Sequence, residues 1–322
     1  MSPRIKHSEK HILPPSRLNH HITQEVLVPQ TRYSIVQMTS RVQKLLDQHK
    51  ALVFPGVYDT LSAKIAERCG CPLAFVSGYS VAATTIGEPD LGLLTQMEMI
   101  ERARHICGCV DLPIIVDADT GYGNPLNVMR TVKELIAAGA AGCFLEDQQW
   151  PKKCGHMRGK KVVDREEYLQ KICAAVAARA DQDFFIVART DALAAVGLDE
   201  AIDRVEAARE AGADASFVEA PGSIEHMAQV GRRAPKPIVA NMIEGGRTPL
   251  LVKSELAAMG FALILHPLAG LFAAASALQR VYQKIQVEQT TLGHKDSLML
   301  FDEFNDLIGV ENRYAEAERF GA

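Results

Sequence analysis

Four acidic residues could share one cation near the ends of apolar segments. Asp117 and Asp119 are separated by one alanine and lead into a glycine-containing turn, Asp90 lies in Glu-Pro-Asp-Leu-Gly, and Glu146 ends another apolar segment. Carboxylates that converge repel one another, so a hard divalent cation is their natural neutraliser. We predict a Mg²⁺ site, with Mn²⁺ as a substitute, in which one carboxylate binds directly and the others hold water ligands. Solvated loop acids are the alternative.

A second candidate segment is residues 150–160, Trp-Pro-Lys-Lys-Cys-Gly-His-Met-Arg-Gly-Lys. Cationic side chains around Cys154 are expected to lower the pKa of its thiol and prepare it for proton transfer. Lys152 and His156 are the candidate supporting residues. The two glycines could allow the segment to move as a lid over a binding cleft. A basic surface loop with an incidental cysteine is the alternative.

Substrate carboxylates have candidate partners elsewhere in the chain. Arg189 presents a planar fork that matches the two oxygens of a carboxylate, and Asn241 could assist it. Residues 77–79, Ser-Gly-Tyr, offer backbone N–H groups and hydroxyls for a second carboxylate. The competing interpretation is that Arg189 is buried and pairs with Glu219 for structure alone.

These groups together indicate one type of reaction. A cation and the carboxylate partners would hold a 2-hydroxy or 2-oxo acid while a base removes the 2-hydroxyl proton. The C2–C3 bond would then break, and the cation and Arg189 would stabilise the enediolate that departs. Cys154 would supply the proton that this fragment needs.

Eight apolar segments alternate with helical patterns along the chain. Nearly continuous apolar segments are typical of parallel strands that are buried on both faces. Eight strand–helix units predict an α/β fold, the (β/α)₈ TIM barrel, and polar residues concentrate at the C-terminal strand ends, where barrel active sites are built. The predicted strands are 51–56, 73–78, 113–119, 142–147, 184–191, 215–220, 237–242 and 261–267.

Composition limits the classes of partner. The 322 residues carry a formal charge of −4 and are 48% hydrophobic, which gives no reason to expect nucleic acid or membrane as a partner. The odd number of cysteines, 7, favours a reducing compartment over a disulfide framework. We expect residues 1–35 to form a flexible extension and residues 36–322 to form one barrel domain. A cytoplasmic location follows, or an organellar one if the extension is a transit peptide.

Residues 45–320 resemble the isocitrate lyase/phosphoenolpyruvate mutase superfamily. The Lys-Lys-Cys-Gly-His motif at 152–156 is similar to the signature of its lyases. Several stretches also resemble its petal death protein-like branch, which implies cleavage of 2-alkylmalates and hydrolysis of oxaloacetate. The matches that support the resemblance to the superfamily as a whole are PGVYD (55–59), VSGYS (76–80), EPDLG (88–92), DADTGYG (117–123), FLEDQ (144–148), ARTDA (188–192), FVEAP (217–221) and NMIEGG (241–246).

The resemblance implies specific roles for these residues. Asp117 would be the direct metal ligand, with Asp90, Asp119 and Glu146 acting through water. Cys154 would be the acid/base on a gating loop, supported by Lys152 and His156. It further implies a homotetramer whose final barrel helices swap between subunit pairs. The residues implied to line the substrate site are Ser77, Gly78, Tyr79, Gly155, Arg189, Glu219, Asn241 and Pro267.

Two departures from the family pattern refine the function. Oxaloacetate hydrolases resemble one another in having serine near the position of Pro267, and methylisocitrate lyases in having histidine at the position of Phe144. We therefore predict a Mg²⁺-dependent lyase for 2-hydroxy dicarboxylates of the 2-alkylmalate or 2-methylisocitrate type. The alternatives are an oxaloacetate acetylhydrolase, a phosphonate mutase-like enzyme, which Cys154 disfavours, and a dicarboxylate-binding protein without turnover.

Overall fold

The computed structural model describes residues 40–321, so the predicted extension at residues 1–35 lies outside the described residues. All eight predicted strands are present. Each observed strand lies within its predicted segment or extends past it by at most one residue. The strands are β1 (Leu52–Val57), β2 (Ala74–Val76), β3 (Ile114–Asp117), β4 (Gly142–Glu146), β5 (Phe185–Thr190), β6 (Ala215–Val218), β7 (Val239–Asn241) and β8 (Leu263–His266).

Helices follow the strands and connect them. Ser40 caps the first helix, because its side chain accepts a hydrogen bond from the backbone N–H of Gln43. The helices are α1 (Arg41–Gln48), α2 (Thr60–Arg68), α3 (Gly78–Thr85), α4 (Gln96–Cys107), α5 (Pro125–Ala137), α6 (Arg165–Arg179), α7 (Ala192–Ala195), α8 (Leu198–Glu210), α9 (Ile224–Arg233), α10 (Lys253–Met259), α11 (Ala269–Glu288), α12 (Phe301–Ile308) and α13 (Val310–Arg319), with a short 3-10 helix at Lys295–Ser297.

The strands form one parallel sheet that curves into a barrel. Their order is β6-β5-β4-β3-β2-β1-β8-β7, and a parallel bridge between Ser216 and Ile238 joins the two edges. The predicted (β/α)₈ architecture is therefore confirmed. Because all strands run in the same direction, their C-terminal ends meet on one face of the barrel, and the polar residues that follow them are brought together there.

The barrel interior is filled by large apolar side chains. Phe54, Phe75, Ile115, Phe144 and Phe185 are buried in one cluster contributed by several strands. A second cluster packs helices α2, α4, α5 and α6 against the outside of the sheet. The closed interior leaves the C-terminal face as the place where a cleft can form, and it holds the strand ends in fixed positions.

The C-terminal helices differ from those that cover the barrel. Helix α11 has twenty residues and none of them is buried, although it carries Phe272, Leu278 and Ile285. Helix α12 contacts the barrel near α2, where Arg68 pairs with Asp306 at 3.0 Å. Within residues 40–321, no helix has the length and apolar content needed to cross a membrane.

Truncation of the barrel interior should lower stability more than truncation at the surface. Ile115 is fully buried, whereas Ile65 on α2 is 41% exposed. We expect Ile115→Ala to lower the free energy of unfolding by about 3 kcal/mol, because it removes buried methyl groups and leaves a cavity. Ile65→Ala is the matched control and should change it by less than about 1 kcal/mol. Urea denaturation measures both, and equal losses would contradict this packing.

Candidate active site

A cleft lies at the C-terminal ends of the strands, and the space within it, open solvent included, is about 420 Å³. Its lining combines polar side chains with apolar ones, several of which also belong to the interior cluster of the barrel. Most residues predicted to bind substrate line it, together with Asp90, Asp117 and Cys154. The lining residues are Phe75, Ser77, Tyr79, Asp90, Asp117, Phe144, Cys154, Gly155, His156, Arg189, Phe217, Glu219, Asn241, Ile243, Leu265, Pro267 and Leu268.

Backbone groups orient the carboxylate of Asp117 at the end of β3. The N–H of Gly78, in the first turn of α3, donates to Oδ2 at 3.3 Å, and the N–H of Asp119 donates to Oδ1 at 3.2 Å. Asp119 itself has a φ of 48°, a left-handed conformation that turns the chain sharply after the strand. Gly78 therefore acts through Asp117 and does not line the cleft.

Lys152 lies behind the cleft and compensates two of the predicted metal-site carboxylates. Its Nζ is 2.6 Å from Oδ1 of Asp90 and 2.6 Å from Oδ1 of Asp119. Burial raises the pKa of Asp119 to about 7, Asp117 and Asp90 add to the rise, and Lys152 opposes it. Burial also raises the pKa of Glu146 well above its usual range. The single positive charge of Lys152 is therefore not enough to neutralise these carboxylates.

The donor set fits a hard divalent cation. All four predicted metal-site residues present oxygen, which Mg²⁺ and Mn²⁺ prefer. Oε1 of Glu146 is buried and has no hydrogen-bond partner among the described residues, as expected of an oxygen that needs a cation or its water. Within residues 40–321, no group of three or more His, Cys, Asp or Glu side chains is arranged to hold a metal directly. Mg²⁺ commonly keeps several waters, so few direct protein ligands suit it.

Arg189 is surrounded by three carboxylates. Its Nη1 is 3.0 Å from Oε2 of Glu146, its Nε is 3.0 Å from Oδ2 of Asp191, and its Nη2 is 3.5 Å from Oε2 of Glu219. Asp191 also accepts from Nη2 through Oδ1 at 3.3 Å. Arginine has five N–H donors, so an Nη1 donor remains for a ligand in the cleft. The contact between Arg189 and Glu219 that the competing interpretation predicted is therefore present, together with a donor that a ligand could use.

Glu219 is a buried anion held by three side chains. Besides Arg189, Nε2 of His156 lies 3.1 Å from Oε1, and Nδ2 of Asn241 donates to Oε2 at 3.2 Å. Burial alone would raise the pKa of Glu219, but Arg189 and His156 lower it to about 2. Nδ1 of His156 accepts the backbone N–H of Arg247 at 2.9 Å, which fixes the ring with Nε2 facing Glu219.

The thiol of Cys154 differs from the sequence-based expectation. Burial raises its pKa to about 11, although the backbone N–H of His156 and, to a smaller extent, Arg189 lower it, so the prediction of a lowered pKa is wrong. The cations of the segment do not surround the thiol, because Lys152 pairs with Asp90 and Asp119. A thiol with this pKa keeps its proton at neutral pH, which suits a proton donor better than a nucleophile.

Two residues that the sequence analysis did not select connect the site to its support. Asp191 is completely buried and holds Arg189, and Lys160 contacts Asp191 at 2.5 Å. Asp191 was recognisable as a companion of Arg189, since residues i and i+2 of a strand face the same side. Lys160 gave no comparable signal, because a lysine in a basic loop is usually solvated.

Comparison with known proteins identifies similar chains. The chain is 48% identical to "Carboxyvinyl-carboxyphosphonate phosphorylmutase, chloroplastic" of Arabidopsis thaliana, over 89% of this chain and 87% of that one. It is 49% identical to the petal death protein of Dianthus caryophyllus, over 87% and 88% of the two chains. It is 45% identical to 2,3-dimethylmalate lyase of Eubacterium barkeri, over 84% and 94%.

Solved structures agree with these similarities. An oxaloacetate acetylhydrolase in complex with 3,3-difluorooxalacetate is 37% identical with a TM-score of 0.82, over 88% of this chain and 96% of that one. A phosphonopyruvate hydrolase in complex with oxalate and Mg²⁺ is 30% identical with a TM-score of 0.79, over 88% and 98%. The sequence profile described as phosphoenolpyruvate phosphomutase matches residues 42–286. The chain therefore belongs to the phosphoenolpyruvate phosphomutase family, within the isocitrate lyase superfamily recognised from its motifs.

Proposed function

We propose that this protein is a Mg²⁺-dependent carbon–carbon lyase that cleaves 2-hydroxy dicarboxylates into a 2-oxo acid and a carboxylic acid. The observation that carries the proposal is a single cleft that Asp117, Arg189 and the protonated thiol of Cys154 all line. A cation site, a carboxylate partner and a proton donor are three of the four parts that this cleavage requires, and the fourth is a base for the 2-hydroxyl proton. Similarity to 2,3-dimethylmalate lyase supports the same reaction class.

In this proposal Asp117 holds the cation directly, and Asp90, Asp119 and Glu146 hold its water ligands. Mn²⁺ is a plausible substitute, since it also prefers oxygen ligands. When bound, the cation polarises the 2-oxygen and carboxylate of the substrate and offsets negative charge as it develops. The phosphonopyruvate hydrolase structure with Mg²⁺ supports this choice of ion.

The proposed reaction balances without a redox partner. A base removes the 2-hydroxyl proton, the O–H electrons form the new carbonyl, and the C2–C3 electrons pass to the departing fragment as an enediolate. Arg189 and Asn241 bind the carboxylate on which that charge collects, and the hydroxyls of Ser77 and Tyr79, which line the cleft, bind the other carboxylate. Cys154 then donates its proton to the carbon of the enediolate, and solvent returns that proton after product release.

The apolar wall of the cleft suits an alkyl substituent. Phe144 contacts Phe75 and Phe217, with ring centroids 4.6 and 5.5 Å apart. A methyl or ethyl group placed there loses contact with water, whereas a third substrate carboxylate would be desolvated without a partner. This arrangement favours 2-alkylmalates over 2-methylisocitrate. The other apolar lining residues are Ile243, Leu265, Pro267 and Leu268.

Oxaloacetate acetylhydrolase is the second candidate function, supported by the structural similarity to an enzyme of that name. Hydrolysis requires a polar group that positions water, and Pro267 lines the cleft where a serine hydroxyl would serve that purpose.

Product analysis by NMR separates the two functions. A panel of 2-alkylmalates, 2-methylisocitrate and oxaloacetate should give a 2-oxo acid from an alkylmalate, whereas dominant oxalate and acetate would identify the hydrolase.

We further propose a homotetramer in which the C-terminal helices are exchanged between subunit pairs. The exposed apolar side chains of α11 favour burial against another copy of this chain, since such a row is costly in water. The proposed substrate is a small dicarboxylate, with no role for nucleic acid or membrane. A cytoplasmic location is proposed, with a plastid as the alternative because one relative is named as chloroplastic.

Replacement of the thiol should separate turnover from binding. We expect Cys154→Ser to lower kcat by about 10²–10⁴-fold, because a serine hydroxyl is a far weaker acid at that position. KM for the alkylmalate should change little, since the cation and the carboxylate partners remain. Cys173→Ser, at an exposed cysteine on α6, is the matched control. Full activity of Cys154→Ser would disprove the proton-donor role.

Removal of divalent cations should abolish turnover reversibly. Chelation followed by desalting should eliminate production of 2-oxo acid, and added Mg²⁺ or Mn²⁺ should restore it. Asp117→Asn should raise the Mg²⁺ concentration needed for half-maximal activity by at least about 10-fold, because a metal-ligating charge is lost. Asp181→Asn, at an exposed position before β5, should leave that concentration unchanged. Activity that survives exhaustive chelation would contradict the cation requirement.

A further inference from the structure

Lys160 is buried although it lies in a strongly basic segment. Only 1% of its side chain is exposed, and its Nζ contacts Oδ1 of Asp191 at 2.5 Å and donates to the backbone carbonyl of Gly155. A buried ammonium is costly unless it is both paired and hydrogen-bonded, and Lys160 meets both conditions. Such a position indicates a specific role for the side chain and not merely solubility.

The two partners of Lys160 belong to different parts of the site. Gly155 follows Cys154 directly, and a Cβ added to Gly155 would lie 2.5 Å from Glu219 and 2.6 Å from Nη2 of Arg189. The backbone of the cysteine segment therefore rests directly on these two residues. Lys160 holds the Gly155 carbonyl in that position, while Asp191 anchors Lys160 to the end of β5.

Asp191 is fixed in position by a second buried carboxylate, Asp147. Its backbone N–H donates to Oδ1 of Asp147 at 2.8 Å, and Oδ2 of Asp147 is 3.0 Å from Nη1 of Arg204. The position of Asp191 does not depend on Lys160, because Nε and Nη2 of Arg189 also contact Asp191. Removal of Lys160 therefore releases the Gly155 carbonyl, next to Cys154, and leaves the carboxylate partner Arg189 in place.

Other contacts define what remains if Lys160 is removed. The side chain of Gln148 holds both backbone groups of Lys153, at 2.8 and 3.0 Å. The N–H of Cys154 donates to the carbonyl of Asp90 at 3.1 Å, and His156 accepts from the backbone of Arg247. The start of the segment is thus secured independently, whereas the Gly155 carbonyl depends on Lys160.

We propose that Lys160 is a positioning residue that fastens the Cys154 segment over the cleft through Asp191. It acts through Cys154, so the catalytic part of this inference rests on the proposed lyase function. Lys160→Met removes the ammonium but keeps a side chain of similar length. Lys161→Met is the matched control, because Lys161 is the next residue and is exposed.

Kinetics provide the first measurement on the full-length protein. A displacement of about 1 Å can cost on the order of 100-fold in rate, so we expect Lys160→Met to lower kcat by about that factor. KM for the alkylmalate should stay within about threefold, because Arg189 retains its contacts with Asp191 and remains in place to bind the substrate carboxylate. Lys161→Met should match the wild type. An unchanged kcat for Lys160→Met, or a loss confined to KM, would overturn the proposal.

Alkylation of Cys154 provides a measurement that needs no substrate. Iodoacetamide labelling followed by peptide mass spectrometry should show labelling of Cys154 at least about 10-fold faster in Lys160→Met, because a released segment exposes the thiol. The exposed Cys69 and Cys173 serve as internal references and should react at unchanged rates. Faster labelling of all three would indicate general unfolding and would overturn a positioning role.

The two measurements distinguish failure of this inference from failure of the proposed function. A wild-type protein that cleaves no alkylmalate would refute the lyase, and the labelling of Cys154 would still test the role of Lys160. If Lys160→Met does not fold, Lys160→Gln, which keeps an N–H donor but no charge, carries the same labelling experiment. Unchanged labelling of Cys154 in a folded variant would overturn the proposal.

Discussion

The buried charges at the mouth of the barrel must neutralise one another, and the rest of the site depends on that requirement. An unpaired charge in this environment would cost several kcal/mol, so each anion needs a cation at a defined distance. Arg189 partly neutralises the negative charge of Glu146, Asp191 and Glu219. Lys152 partly neutralises that of Asp90 and Asp119. The raised pKa values of Asp119 and Glu146 mark where this compensation is incomplete and where a divalent cation fits.

The fold could be predicted from the sequence because it depends on repeated patterns. Each strand is a short, nearly continuous apolar segment, and parallel strands in a barrel bring their polar C-terminal residues to one face. That geometry also explains why Ser77, Asp117, Arg189, Glu219 and Asn241, from different strands, were recognised as one site. No single contact between them was needed for that prediction, since the topology alone places them on one rim.

The details that the sequence could not provide are those that depend on burial. A cysteine among cations predicts a lowered pKa, yet the fold places Lys152 away from the thiol and buries Cys154, so that its pKa rises. Lys160 looked like a solvated side chain because burial of one lysine depends on a partner, Asp191, thirty-one residues later. Long-range pairing of this kind leaves no periodic pattern, and only the three-dimensional arrangement shows that the segment is anchored.

The most direct test of the proposed chemistry is cleavage of a 2-alkylmalate in D₂O with Mg²⁺ present, followed by NMR of both products. A thiol exchanges its proton with solvent, so transfer from Cys154 should place one deuteron on the carbon that was C3 of the substrate. The expected result is a 2-oxo acid and a singly deuterated carboxylic acid in equal amounts. Intact alkylmalate, together with oxalate and acetate formed from oxaloacetate, would contradict the lyase and identify a hydrolase.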